Sequence, residues 1–183
     1  MMKKIVFGII FMLAAFSVAG EEFMLYGDSY VANIVLPDYW AVNMDMAKAY
    51  NLSGFFFLED EGIENSSAAI VVSLATKPNE KSKLQDYIDY DMAVLKNSYP
   101  NMIFKPFKIS KPNKYGHECK VFEFYNKPGG RHQYIAYFDG HPNYMLKMYI
   151  DFVEKKKEKK YRKDFLTAVH KLSYMNADVK EKK

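Results

Sequence analysis

Three of the four histidines and the single cysteine of this chain lie between residues 115 and 141, in the stretch YGHECKVFEFYNKPGGRHQYIAYFDGH. A thiol beside an imidazole could form a nucleophile with its general base, and two histidines with a cysteine could bind zinc. Which chemistry is possible depends on how the surrounding strands place His117, Cys119, His132 and His141.

The same stretch has the pattern of a three-stranded meander. The segments KPGG and DGHP suit tight turns, and the segments beside them are rich in β-branched and aromatic residues. With these turns, the first hairpin pairs Tyr125 with His132, and the second pairs Tyr137 with Tyr144.

Side chains alternate between the two faces of a strand, so these pairings sort the meander into two faces. One is predicted to be a core face, with Phe122, Phe124, Ile135, Tyr137, Tyr144, Leu146, Met148 and Ile150. The other is mixed, with Cys119, Val121, Glu123, Tyr125, His132, Tyr134, Ala136, Phe138, Met145, Lys147 and Tyr149.

This register separates the reactive side chains. His132 lies six residues along the strand from Cys119, roughly 20 Å at about 3.3 Å per residue, whereas a catalytic pair needs about 3 Å. A zinc site formed by His117, Cys119 and His141 stays open as an alternative, although it lacks closely spaced ligand pairs and a fourth ligand. The favoured interpretation is ordinary strand-end residues, with no catalytic residue and no cofactor.

The N-terminus has the organisation of a secretory signal peptide. MMKK is followed by the apolar segment IVFGIIFMLAAF and then by small residues before the first acids. That segment is shorter than the roughly 20 apolar residues of a membrane span. Residues 1–20 are therefore predicted to be a signal peptide, cleaved after Ala19 or Gly20, that exports the protein to the periplasm or the medium. No transmembrane segment is expected after cleavage.

Basic residues are concentrated near the C-terminus. Residues 21–150 carry 13 basic and 16 acidic side chains, whereas residues 151–183 carry 11 basic and 6 acidic ones. The run VEKKKEKKYRKD mixes Lys with Glu and holds one Arg, which argues against a nucleic-acid surface. A solvated helix start is the plain interpretation, and a surface for an acidic partner or an anionic membrane is the functional one. The candidate binding residues are Tyr125, Tyr134, Tyr149, Lys155, Lys156 and Lys159.

The rest of the chain carries further strand signals. One segment, AAIVVSLAT, is apolar enough to be a central strand that is covered on both faces. The predicted strands are YVANIVL (30–36), a short one around Trp40 and Val42, SGFFFLED (53–60), AAIVVSLAT (68–76), and NMIFKPFKI.

Two segments have helical periodicity. The first is PNEKSKLQDYIDYDMAVLKNSYP, whose apolar residues lie three and four apart; this helix is predicted to be capped by Asn79 and to end near Pro100. The second, YRKDFLTAVHKLSYM, predicts a closing helix. Residues 28–176 are therefore interpreted as one α+β domain, a mostly antiparallel sheet covered by helices, with a charged tail at 177–183.

These segments together resemble the PsbP-like superfamily. The resemblance rests on NIVLPDYWAV, SAAIVVSLAT, LQDYIDYDMAVLKNSYP and YIAYFDGHPNYMLKMYI, with a closing helix containing YRKDFLTAVHKLS. It implies an α/β/α sandwich around an antiparallel sheet. Plant and cyanobacterial members are extrinsic photosystem II proteins, a eukaryotic relative binds a small nuclear GTPase, and the family has no common catalytic constellation. A photosynthetic role is not transferred, because the leader resembles a bacterial signal peptide.

These observations predict an exported, non-enzymatic binding or accessory protein whose partner is another envelope protein or a small ligand. A metal-dependent protein or enzyme using His117, Cys119 and His141 is one alternative. An inhibitor or immunity protein against a secreted toxin is another. The sequence leaves the ligand and the oligomeric state open.

Overall fold

The computed structural model describes residues 20–26, 30–79, 81–126, 132–141, 143–152 and 155–176. Except for Gly20, the predicted signal peptide lies outside these residues, as do the KPGG turn and the predicted tail. None of the described helices is long and apolar enough to cross a lipid bilayer.

The described residues form ten strands and three α-helices, with 3₁₀ turns at Glu59–Glu61 and Lys155–Lys157. The strands are β1 (Glu21–Tyr26), β2 (Tyr30–Leu36), β3 (Trp40–Val42), β4 (Gly54–Leu58), β5 (Ala68–Thr76), β6 (Met102–Phe107), β7 (Glu118–Asn126), β8 (His132–Asp139), β9 (Tyr144–Phe152) and β10 (Ser173–Asn176). The helices are α1 (Met44–Ala49), α2 (Leu84–Ser98) and α3 (Glu158–Lys171).

The strands form two antiparallel sheets. The larger has the order β3-β4-β5-β9-β8-β7-β6, and the smaller has the order β1-β2-β10. The predicted α+β class and mostly antiparallel sheet are confirmed. The apolar strand β5 lies inside the large sheet between β4 and β9, as its composition predicts.

Two apolar cores lie on opposite faces of the large sheet. On one face, Leu84 and Ile88 of α2 pack with Phe124, Ile135 and Tyr137. On the other face, α3 and the smaller sheet enclose the larger core. The layers are therefore α2, the seven-stranded sheet, and a third layer made of α3 with the smaller sheet, as expected for an α/β/α sandwich.

The register of the first predicted hairpin is confirmed, because Tyr125 pairs with His132. The register of the second is wrong by three residues, because Tyr137 pairs with Lys147 and not with Tyr144. The reason lies outside the hairpin: β9 pairs with β5 over nine residues, from Ala68 to Thr76, and this pairing sets its position.

An odd shift moves every side chain of β9 to the other face. Leu146, Met148 and Ile150 therefore join Tyr134 in the larger core, whereas Tyr149 packs against the core beneath α2. The prediction that Leu146, Met148 and Ile150 share a face with Phe124, Ile135 and Tyr137, and that Tyr149 shares a face with Tyr134, is therefore wrong.

Three further expectations differ at element ends. The SYM segment that was expected to be helical forms β10, and β1 extends the smaller sheet upstream of the predicted boundary at residue 28. The predicted cap at Asn79 is also wrong: α2 begins at Leu84, and the Lys83 N–H donates to the Asp86 carboxylate at 3.2 Å. The short helix α1 has no counterpart among the predicted elements.

Candidate binding groove on the C-terminal helix

The helix α3 is amphipathic. Its apolar residues recur at helical spacing, so Tyr161, Phe165, Ala168 and Val169 are all buried in the larger core. Most of its basic residues lie on the opposite side, where Lys159, Lys160 and Lys163 are exposed.

Both acidic residues of α3 are engaged inside the protein. Glu158 accepts hydrogen bonds from Tyr134 at 3.1 Å and from Arg162 at 3.3 Å, and one of its oxygens lies 3.0 Å from the Nδ1 atom of His132. Asp164 is 8% exposed and accepts hydrogen bonds from the Tyr39 hydroxyl and, at 3.3 Å, the Trp40 indole. Glu158 forms an ion pair with Arg162, and Asp164 interacts with the charges of Lys160 and Lys163. The exposed lysines still make the outer face of α3 predominantly basic.

The loop between β6 and β7 is fastened to the end of α3 by Asn113. The buried side-chain amide of Asn113 donates to the carbonyl oxygens of Val169 and Leu172 at 3.0 and 2.9 Å. These carbonyls belong to the end of the helix, where intrahelical donors run out. The amide oxygen of Asn113 in turn accepts the N–H groups of Tyr115 and His117.

Two further contacts hold the same loop. The Lys114 N–H donates to the His170 carbonyl at 2.8 Å, and the Nδ1 atom of His170 lies within hydrogen-bond distance of the Pro112 carbonyl. Because the loop is tied to α3 from Pro112 to Lys114, the side chains just before it form a wall beside the helix.

This wall and α3 enclose a groove of about 610 Å³. Ile109 and Leu166, both packed against the larger core, contribute apolar surface to it. None of the residues described as lining the groove is acidic, and its basic residues are Lys111, Lys159, Arg162, Lys163, His170 and Lys171.

A cluster of hydrogen-bonded side chains on the side of the large sheet orients Arg162; its members are Tyr134, Glu158, His132 and Glu123. Its guanidinium donates to the Tyr134 hydroxyl at 2.9 Å, and this hydrogen bond is the main reason why its pKa is raised. Burial raises the pKa of Tyr134, so the hydroxyl stays protonated. The second ring nitrogen of His132, Nε2, lies 2.9 Å from a carboxylate oxygen of Glu123. The cluster is a hydrogen-bonded support for the groove wall.

The predicted tyrosine surface is not one surface. Tyr134 is 1% exposed and belongs to the larger core, and Tyr149 lies across the sheet with the α2 core. Tyr125 is half-buried on β7, beside the edge strand β6, and the ammonium of Lys105 lies 5.2 Å from its ring centroid. The three tyrosines are therefore not brought together.

The structure describes the side chains of two of the three candidate lysines of the basic run. Lys156 and Lys159 are exposed, and Lys159 lines the groove, whereas the side chain of Lys155 lies outside the described part of the chain. Lys163 was missing from the candidate binding residues, although its four-residue step from Lys159 along a predicted helix is a signal that could have identified it. The contribution of Lys111 could not be predicted, because it comes from a distant loop.

His117, Cys119 and His141 surround an aromatic ring of β10. The ring centroids of His117 and His141 lie 5.2 and 6.4 Å from that of Tyr174. Burial raises the pKa of Cys119 to about 12, which leaves the thiol unreactive. Among the residues that the structure describes, no three or more His, Cys, Asp and Glu side chains are arranged to hold a metal ion. The geometry therefore does not support the metal alternative.

The helix-covered antiparallel sandwich places the chain in a class of fold seen in several solved structures. No family model matches the chain, and no curated protein matches it. Cyanobacterial PsbP (CyanoP) from Synechocystis sp. PCC 6803 superposes with a TM-score of 0.57 at 10% identity, covering 88% of this chain and 96% of that one.

Two other structures superpose comparably. LpqN of Mycobacterium tuberculosis, described as involved in cell envelope biogenesis, gives a TM-score of 0.58 at 13% identity, covering 85% of this chain and 91% of that one. The Ran-binding protein Mog1p of Saccharomyces cerevisiae gives 0.53 at 13% identity, covering 86% and 96%. The fold of this chain is thus PsbP-like, as the sequence resemblance implies.

Proposed function

We propose that the protein is an exported, non-enzymatic binding or accessory protein that contacts another envelope protein through the basic groove on α3. The observation that carries this proposal is the charge arrangement of the helix. Glu158 and Asp164 are both engaged internally, and the described residues that line the groove include five lysine and arginine side chains and one histidine, with no acidic residue among them. Such a one-sided surface favours an acidic partner.

Two further observations support a binding role. Proteins with the same fold include a Ran-binding protein and a protein involved in cell envelope biogenesis. The N-terminal pattern at residues 1–20 supports export, and N-terminal sequencing of the mature protein is expected to show cleavage after Ala19 or Gly20.

The proposal is tested by covalent cross-linking in intact cells, followed by affinity purification from the envelope fraction. The test variant is Lys159→Glu with Lys163→Glu. The matched control is Lys48→Glu with Lys96→Glu, which makes the same change in net charge at exposed lysines of α1 and α2.

A partner that is recovered with the wild type and the control, but is depleted with the groove variant, is the expected result. Equal recovery with both variants, or no specific partner with the wild type, contradicts the proposal.

A further inference from the structure

The groove lies beside α3. Its helical wall runs from Lys159 to Lys171. At about 1.5 Å per residue these twelve steps span about 18 Å. An extended peptide rises about 3.3 Å per residue, so about five of its residues match this length.

The spacing of the charges along the wall also matches an extended chain. Lys159 and Lys163 are one helical turn apart, about 6 Å along the axis. In an extended peptide, side chains that point to the same side are two residues and about 6.6 Å apart. Carboxylates at alternating positions of a bound segment can therefore each meet a lysine of α3.

The recessed parts of the groove favour a chain over a flat surface. Leu166 and Ile109 are half-buried between the helix and the loop that Asn113 fastens. A lipid surface would reach only the exposed rim, such as Lys111 and Lys163, whereas the methylene groups of a bound peptide can pack on the apolar residues within.

The groove is poorly equipped for a compact phosphate. Arg162 already donates to Tyr134 and Glu158, so its guanidinium fork is partly occupied. The helix end beside Lys171 is the C-terminal one, whose dipole disfavours anions and which offers no free N–H groups. The remaining cations are spread along the wall and suit distributed charge.

Resting on the proposed function, we infer that the groove binds an extended acidic segment of the partner protein, about five residues long, with carboxylates at alternating positions. Lys159 and Lys163 contact the carboxylates, Lys111 contacts the segment from the opposite wall, and Leu166 packs against its side chains.

Fluorescence anisotropy with the mature protein at low ionic strength tests this inference. The probe is a labelled five-residue peptide alternating glutamate and valine, and the comparison peptide has the same composition with its glutamates in one block. The alternating peptide is expected to bind several-fold more tightly. Lys163→Glu is expected to weaken binding about tenfold, because a favourable charge contact becomes repulsive. Lys96→Glu is expected to leave binding unchanged.

Asn113→Ser provides an independent variant, because it loosens the loop without changing any charge. Weaker peptide binding by this variant, with an unchanged circular dichroism spectrum, supports a groove formed by both walls. If that variant does not fold, the comparison of Lys163→Glu with Lys96→Glu decides alone. Equal binding of the peptide by those two variants overturns the inference.

Competition by tripolyphosphate and by phosphatidylglycerol vesicles distinguishes other ligands. If either binds in a Lys163-dependent manner and the alternating peptide does not bind, the acidic-segment inference fails. The envelope cross-linking result is independent of these probes, so a partner depleted by the groove variant would keep the proposed function while this inference is rejected.

Discussion

The single cysteine is expected to react slowly with thiol reagents in the folded protein. Burial raises the pKa of Cys119 to about 12, so at pH 8 only about one thiol in 10⁴ is a thiolate. We expect a thiol-reactive disulfide reagent to label Cys119 very slowly in native buffer and within seconds in guanidinium chloride. Absorbance of the released chromophore measures both rates. Rapid labelling of the native protein would contradict a buried thiol.

Glu61 makes the folded protein sensitive to acid. A hydrogen bond from Lys157 at 2.8 Å and one from the Ser67 N–H lower the pKa of Glu61 to about 2 from its usual 4.5. Because the folded-state pKa is the lower one, this stabilisation is present above about pH 4.5 and is lost as the pH falls towards 2.

Glu61→Gln is therefore expected to lower the free energy of unfolding by about 1 kcal/mol at pH 7 and to have a clearly smaller effect at pH 2, where about half of the Glu61 carboxyls are protonated. Urea titrations at both pH values measure the difference. Glu64→Gln, at an exposed position nearby, serves as the control. A difference as large at pH 2 as at pH 7 would contradict the charge-based explanation.

Tyrosine hydroxyls in the two cores have different partners. The Tyr137 hydroxyl donates to Asp91 at 2.7 Å, whereas the buried Tyr174 hydroxyl has no protein hydrogen-bond partner among the described residues. A buried hydroxyl without a partner costs free energy, so Tyr174→Phe is expected to be neutral or stabilising, and Tyr137→Phe to cost about 1 kcal/mol. Thermal melts of the two variants provide the comparison, and a larger loss for Tyr174→Phe would contradict it.

Asp164 is one of the residues that attach α3 to the turn between β2 and β3. The ring of Tyr161 also contacts Trp40, and the Lys160 ammonium lies over the ring of Tyr39. Asp164 accepts hydrogen bonds from Tyr39 and Trp40, while burial raises its own pKa. Asp164→Ala leaves both donors without this acceptor, and we expect a loss of about 2 kcal/mol.

Trp40 is the only tryptophan, so its fluorescence reports directly on this contact. We expect Asp164→Ala to change the emission of Trp40 and to lower the melting temperature. Asp45→Ala, at an exposed position on α1, is the control. An unchanged emission spectrum would show that the carboxylate does not hold the indole in place.

Most of the large sheet could be predicted from the sequence, because the signals for strands and turns lie close together along the chain. The KPGG turn correctly paired Tyr125 with His132. The second hairpin was misread because β9 is apolar on both faces, with Met145 and Tyr149 on one and Leu146 and Met148 on the other. Alternation could not choose between them, and the partner that decides is β5.

Only part of the groove could be predicted from the sequence, because its two walls come from distant segments of the chain. Lys159 was a candidate from the sequence, and Lys163 was missed although its spacing from Lys159 on α3 is a local pattern. The hydrogen bond from Asn113 to the Val169 carbonyl joins residues 56 positions apart, and no local sequence pattern around Asn113 predicts it. Long-range contacts of single polar side chains thus decided the shape of the site.

The folded unit includes β1, which lies upstream of residue 28. β1 pairs with β2 over six residues, and Leu25 is 2% exposed and packs against Gly54. A chain that begins at Glu21 keeps all of β1 and is the reference. Removing residues up to Tyr26 loses the burial of Leu25 and one edge of the smaller sheet, at a cost of about 3 kcal/mol. Thermal melts of the two chains test this, and equal melting temperatures would show that β1 contributes nothing to stability.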